Sequence, residues 1–145
     1  MHREKGPEKV SSDELFAGRK TVLFAVPGAF TPTCSQAHLP GYVVKADELL
    51  ARGVDQIVCL SVNDAFVMQA WGRQQNADDK ILMIADPDGE FTEKLGLELD
   101  LSARGLGRRS KRYAMIVEDG TVTHLNIDEA GKLETSDAET MLGLL

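Results

Sequence analysis

The sequence predicts an α/β fold, a mixed central sheet flanked by helices. Three short and nearly continuous apolar runs, Thr21–Val26, Gln56–Val62 and Ile81–Ala85, read as strands covered on both faces. Each is followed by a turn or capping residue and then a stretch of helical character. Near the C-terminal end, two more runs flank Asp119-Gly120, a dipeptide that closes tight hairpins. Strands alternating with helices, then a hairpin, then a helix give a mixed sheet packed under helices.

The elements follow in order. Ser11 and Glu14 form a capping box for a short helix that Gly18 stops. The Thr21–Val26 strand leads through Pro27-Gly28 into a helix from about Ser35 to Leu50, with Gly53 past its end. Pro40 lies inside that helix and has no N–H for Gln36, so a kink is predicted there. The Gln56–Val62 strand precedes Asn63-Asp64, which caps a helix running to about Gln75. After Ile81–Ala85, Asp86-Pro87-Asp88-Gly89 makes a turn, and Glu90–Leu95 is a brief helix stopped by Gly96. Arg112–Glu118 and Thr121–Ile127 are the hairpin arms. The last helix starts at Ser136, with Glu139 completing a second capping box, and runs to the end.

A chain of 145 residues reads as a single domain spanning 1–145, large enough to bury a core without staples. Its two cysteines are too few for a disulfide scaffold. Met1-His2-Arg3-Glu4-Lys5-Gly6 has no apolar segment behind it, so no signal peptide is expected. No apolar stretch has bilayer-spanning length, so no membrane partner is expected. A reducing, cytoplasmic setting follows as an expectation, and there a cysteine is more often catalytic than structural. The net charge of −7 argues against a nucleic-acid partner. Arg108-Arg109-Ser110-Lys111-Arg112 is a short basic cluster, read as a solvated loop. The cysteines and histidines show no metal-ligand spacing, so no metal is expected.

Chemistry concentrates at Pro27-Gly28-Ala29-Phe30-Thr31-Pro32-Thr33-Cys34. A strand, a Pro/Gly turn and a cysteine opening a helix place the sulfur near unpaired N–H groups and the positive end of the helix dipole. Both favour the thiolate, the reactive form. The plain alternative is a buried cysteine acting as a small hydrophobe. His38 lies one helical turn on, and a Cys–His hydrolase pair is conceivable. A base on the same helix seldom reaches the needed geometry, however, and no Asn or Asp is evident to orient it. Cys59, between Val58 and Leu60, reads as a core thiol. There is no C-x-x-C, which weighs against a disulfide oxidoreductase.

Pro27, Thr31 and Cys34 match P-x-x-x-[TS]-x-x-C, and the segment resembles the active-site loop of the peroxiredoxins. Further blocks occur in the same order: His38-Leu39-Pro40-Gly41, Cys59-Leu60-Ser61-Val62-Asn63-Asp64-Ala65-Phe66-Val67, Trp71-Gly72, Ala85-Asp86-Pro87 and Lys111-Arg112-Tyr113. Together they resemble the type II, peroxiredoxin-5-like subgroup, in a one-cysteine bacterial or plant-like form. The resemblance implies a thioredoxin-like sandwich and a thiol peroxidase acting on hydrogen peroxide and alkyl hydroperoxides, with no metal or organic cofactor. Cys34 would be the peroxidatic nucleophile. Arg112, which alone would pass for a surface arginine, would set its cation beside the sulfur. Thr31 would hydrogen-bond thiolate and peroxide, and Pro27 would cover the sulfur. Gly28 and the backbone N–H groups of Thr33 and Cys34 would face substrate, with His38 near the pocket.

The resemblance further implies an external reductant, first glutathione with glutaredoxin and second thioredoxin. It also implies a non-covalent homodimer, for which Phe30, Phe66 and Trp71 are the aromatic candidates. Two departures stand out. Met1–Val10 is short beside the family's N-terminal segment, so its hairpin is expected to be shortened or missing. Animal members carry a resolving cysteine near the position of Thr135-Ser136, where this chain has none. Plant members have a cysteine at the place of Cys59, which keeps a second redox role open for it. The competing class is a thioredoxin-like redox sensor or binding module that signals through Cys34 oxidation.

Overall fold

Alternation along two buried strands organises the molecule. The computed structural model describes residues 2–3, 6–7, 9–77, 79–129 and 132–145, the first two pairs through their backbone. In chain order the elements are β1 (His2–Arg3), β2 (Gly6–Pro7), α1 (Ser12–Phe16) and β3 (Lys20–Val26). A π-helical turn (Cys34–His38) runs into α2 (Leu39–Ala51), followed by β4 (Gln56–Ser61), α3 (Ala65–Gln74), β5 (Leu82–Ala85) and α4 (Glu90–Lys94). Then come β6 (Glu98–Leu101), β7 (Gly107–Ser110), β8 (Tyr113–Glu118), β9 (Thr121–Ile127) and α5 (Ala138–Leu142).

The main sheet has five strands in the order β5-β4-β3-β8-β9. β3 pairs in parallel with β4 and antiparallel with β8, so the sheet is mixed, as the element order predicts. Side chains alternate between its faces. Val22, Phe24, Val26, Ile57 and Cys59 pack in one core with Tyr42 and Leu49 of α2, Met68 and Trp71 of α3, and Met141 of α5. Leu23, Ala25, Val58 and Leu60 pack in the other with Leu15 and Phe16 of α1 and Phe91 of α4. Helices on both faces explain why β3 and β4 are apolar at nearly every position.

Local signals act where the sequence places them. The Ser11 hydroxyl accepts from the Glu14 N–H at 3.1 Å, and Asp64 accepts from the Val67 N–H at 2.8 Å. Asp119 (φ 47°) and Gly120 (φ 82°) both take left-handed backbone, as the hairpin turn between β8 and β9 requires.

Two expectations take a definite form and two change. The N-terminal hairpin is present in short form, with His2 paired to Pro7 and Arg3 to Gly6. The basic cluster is largely not a loop, because Arg108–Ser110 lie in β7, which pairs with β6 from Leu101↔Gly107 to Glu98↔Ser110. Arg108 donates to the Asp88 carbonyl at 2.8 Å and Arg109 to the Leu106 carbonyl at 2.8 Å, so both side chains brace backbone. The kink at Pro40 takes the form of the π-helical turn, in which the Leu39 N–H reaches back to the Cys34 carbonyl. Finally, α5 begins at Ala138 behind Asp137, and the second capping box does not form. The Ser136 hydroxyl donates to Asp128 instead.

Asp86 ties β5 to α4. Its carboxylate accepts from the Phe91 N–H at 3.2 Å, the Thr92 N–H at 2.9 Å and the Thr92 hydroxyl at 2.7 Å. Asp86→Ala removes these acceptors from buried donors and should lower the unfolding free energy by about 2 kcal/mol. Urea unfolding checks it: the midpoint should fall while the slope stays that of the wild type.

Candidate active site

Cys34 reaches its place through a braced turn. Thr31 closes on Gly28, with its N–H at 3.3 Å and its hydroxyl at 2.6 Å from the Gly28 carbonyl. Phe30 sits inside that turn at φ 64°, a strained conformation for an aromatic residue. Two neighbours hold the turn. The Asn63 side-chain oxygen accepts from the Ala29 N–H at 3.0 Å and from the Ser61 hydroxyl at 2.6 Å. Arg109 donates to the Val62 carbonyl at 3.3 Å, and its guanidinium would lie 3.2 Å from a Cβ added to Gly28. A side chain at Gly28 would also press the Thr31 methyl at 3.0 Å, so glycine suits this tight spot.

The helical turn then opens at Pro32 and Thr33. Its first intrahelical bond runs from the Ser35 N–H to the Thr31 carbonyl at 2.9 Å. Pro32 has no N–H, so the N–H groups of Thr33 and Cys34 precede that bond and form the donor end of the helix. Cys34 itself is 0 % exposed.

Arg112, just before β8, joins the site from across the sheet. Its Nη2 donates to the Cys34 sulfur at 3.2 Å and its Nη1 to His38 Nδ1 at 2.7 Å. Guanidinium only donates, so His38 Nδ1 must accept and Nε2 must carry the proton. That Nε2–H points to the Ser136 carbonyl at 2.9 Å. The ring is buried against Phe24 and Tyr42, with centroids 5.0 Å and 5.6 Å away. Burial, assisted by the Arg112 cation and opposed by the Ser136 carbonyl, lowers the His38 pKa from 6.5 to about 4. His38 is thus neutral near pH 7 and occupied on both nitrogens. This agrees with the argument against a Cys–His base pair and corrects the placing of His38 among substrate-facing groups: it is the residue that holds Arg112.

The other expected residues divide. A guanidinium on sulfur favours the anion, and Arg112 stands where that requires. The Thr31 hydroxyl gives its proton to Gly28, not to the sulfur, and keeps only acceptor capacity. Pro27 is half-buried beside the turn and, with Leu99, Arg112 and Ile127, lines a cleft of about 290 Å³. Cys59 is buried in the core that holds Cys34, and burial, reinforced by the Cys34 charge, pushes its thiol well up. Both cysteines are free. Trp71 is fully buried and donates to the Ser35 hydroxyl at 3.0 Å, so it braces the turn rather than offering an interface. Phe30 and Phe66 are 49 % and 65 % exposed. Asn63 beyond its capping place, Arg109 and Ser136 are contributors that sequence reasoning did not single out. Their roles depend on backbone groups far away in the chain. Among the described residues, no group of three or more His, Cys, Asp or Glu is placed to hold a metal ion.

Comparisons with known proteins place the chain in a family. The family model described as Redoxin matches residues 2–142. The chain is 55 % identical to Peroxiredoxin-2E, chloroplastic, of Arabidopsis thaliana over 94 % of its own length and 59 % of that protein's. It is 48 % identical to Peroxiredoxin-2D of the same plant, over 95 % of this chain and 85 % of that one. The chain therefore spans about three fifths of the length of its chloroplastic relative, the shared part being 59 %. Reduced Prx3 from Vibrio vulnificus, solved in complex with hydrogen peroxide, superposes with a TM-score of 0.94 at 58 % identity, covering 98 % of this chain and 89 % of that one. These likenesses identify the sandwich as thioredoxin-like.

The neutral His38 makes stability depend on pH. In the unfolded chain it takes a proton near 6.5, and in the folded chain only near 4. Between these values the unfolded state binds more protons, so stability is full above 6.5 and falls as the pH falls. The loss over that window should total roughly 3 kcal/mol. Chemical denaturation at several pH values checks it, with His38→Gln as reference. The wild-type curve should carry an acid slope that the variant lacks; identical slopes would place the proton elsewhere.

Proposed function

Because the chain belongs to the redoxin family, and within it to the type II peroxiredoxins, we propose that it is a thiol peroxidase with Cys34 as its nucleophile. The observation that carries this reading is the Arg112 guanidinium on the sulfur of a cysteine at the start of a helix. The thiolate attacks one peroxide oxygen in line with the O–O bond. That bond breaks, and hydroxide or alkoxide leaves with the electron pair and takes up a proton. Cys34 is left as a sulfenic acid. Arg112 and the N–H groups of Thr33 and Cys34 are donors for the charge that builds on oxygen. Thr31, its own proton engaged by Gly28, accepts the peroxide O–H. Pro27 limits water at the sulfur.

An external thiol then condenses with the sulfenic acid and releases water, and a second thiol frees Cys34 as a disulfide departs. Glutathione with glutaredoxin is our first choice of reductant and thioredoxin the second. An outside thiol is favoured because Cys59 is buried and held neutral, and the thiolate is the attacking form. The exposed Phe30 and Phe66 support a non-covalent homodimer through the active-site edge.

Steady-state peroxide consumption tests this with each reductant system. Cys34→Ser should abolish turnover, and Cys59→Ser should retain most of it. Arg112→Met should reduce kcat/KM by about a hundredfold, the scale of a lost oxyanion donor. Equal loss in the two cysteine variants would make Cys59 a resolving partner and overturn the one-cysteine scheme. For the dimer, light scattering under reducing conditions should exceed the chain mass of 15.8 kDa, and a mass at that value would refute it.

A further inference from the structure

The segment after β9 folds back beneath the site. The Asp128 N–H donates to the Arg112 carbonyl at 2.9 Å, so this residue is fastened to the strand end that carries the guanidinium. Its carboxylate gathers the backbone ahead of α5. Oδ1 accepts from the Glu134 N–H at 3.2 Å, the Thr135 N–H at 2.7 Å and the Thr135 hydroxyl at 2.7 Å. Oδ2 accepts from the Ser136 N–H at 3.1 Å and from the Ser136 hydroxyl. The Ser136 carbonyl in turn accepts from His38 Nε2 at 2.9 Å and from the Tyr42 hydroxyl at 2.7 Å. His38 then receives Arg112, and Arg112 reaches Cys34.

We propose that Asp128 is a positioning residue: its carboxylate sets the Ser136 carbonyl, which fixes the His38 tautomer and so aims the Arg112 fork at the Cys34 sulfur. The catalytic consequence rests on the peroxidase reading above. A carboxylate that merely anchored a loop would need to tie down residues 134–136 and nothing more. Here the anchored segment presents one carbonyl to the only N–H of a buried neutral imidazole. Should that carbonyl drift, the ring keeps only the Arg112 donor to hold its proton on Nε2 and loses the acceptor that rewards that tautomer. With the proton on Nδ1, the ring can no longer accept from Arg112. The fork then loses one of its two fixed contacts, and the nitrogen on sulfur is no longer held in direction. Ser136 is fully buried, so water does not replace the missing acceptor.

Two measurements on the full chain test this. The first is the ring ¹⁵N spectrum of His38, which should show one Nε2–H tautomer in the wild type and a mixture in Asp128→Asn. The second is the rate of Cys34 alkylation by iodoacetamide and of its oxidation by hydrogen peroxide. Both rates should fall by about tenfold or more in Asp128→Asn, since small misplacements of a catalytic group carry costs of that order. Ser136→Ala keeps the carbonyl and loses only the hydroxyl, so its rates should fall by about threefold, less than one full hydrogen bond. If Asp128→Asn does not fold, Ser136→Ala decides by the same two readings. A folded variant with an unchanged tautomer and Cys34 rates within about twofold of the wild type, inside the reach of weak surface effects, would reduce Asp128 to a loop anchor. A wild type that consumes no peroxide would sink the peroxidase reading alone, because the tautomer and alkylation readings would still test Asp128.

Discussion

A buried cation with no carboxylate partner among the described residues is the constraint on which the site depends. Arg112 lies within the molecule, and its two named side-chain contacts are a neutral imidazole and a sulfur. Burying a charge is costly unless something answers it. His38 supplies a lone pair but no charge. The group beside the guanidinium that can become an anion is the Cys34 sulfur, and the two are 3.2 Å apart. The same charge that makes the arginine expensive to bury is thus aimed at that sulfur. Burial first, and then this cation 2.7 Å away, keep His38 neutral.

The sheet brings these groups together. Arg112 and Cys34 are 78 positions apart in the chain. The antiparallel pairing of β3 with β8 sets Ala25 against Tyr113, so Arg112 stands across from the end of β3. The chain leaves β3 there for the turn that leads to Cys34. Two-residue alternation then decides which side chains share the sulfur's face: Phe24 and Cys59, directly paired across β3 and β4, both do. Phe24 stacks on Tyr42 at 3.9 Å between ring centroids, and the two rings wall His38 from water. The geometry of the site is a property of register.

Much of this was legible from residue types, and the parts that were not share a cause. Strands buried on both faces show themselves as apolar runs, and Ser11, Asp64 and Asp119-Gly120 act through their nearest neighbours in the chain. β6 and β7 escaped because each is a four-residue strand of a separate two-stranded ribbon, too short for the alternation of Glu98-Leu99-Asp100-Leu101 to stand out. The α5 start was misread because Ser136 has two possible uses, and the distant Asp128 outcompetes the local cap. His38 was placed near Cys34 by helical spacing, but its partner is Arg112, which spacing along one helix cannot reveal. Asn63 and Arg109 bind backbone carbonyl and N–H groups of remote loops, and backbone groups carry no sequence signal.

The π-helical turn has a mechanical consequence. Pro40 has no N–H, so the carbonyls that a regular helix would bond from that position receive nothing from it. The segment bearing the sulfur is joined to α2 by the wide Leu39-to-Cys34 bond. A helix parts most cheaply where its ladder is thinnest. In this chain that seam lies between Cys34 and the long body of α2, which packs through Tyr42, Ala46 and Leu49. The sulfur-bearing turn is held to the fold sideways instead, by Trp71 on Ser35 and Arg112 on Cys34, rather than along the helix axis.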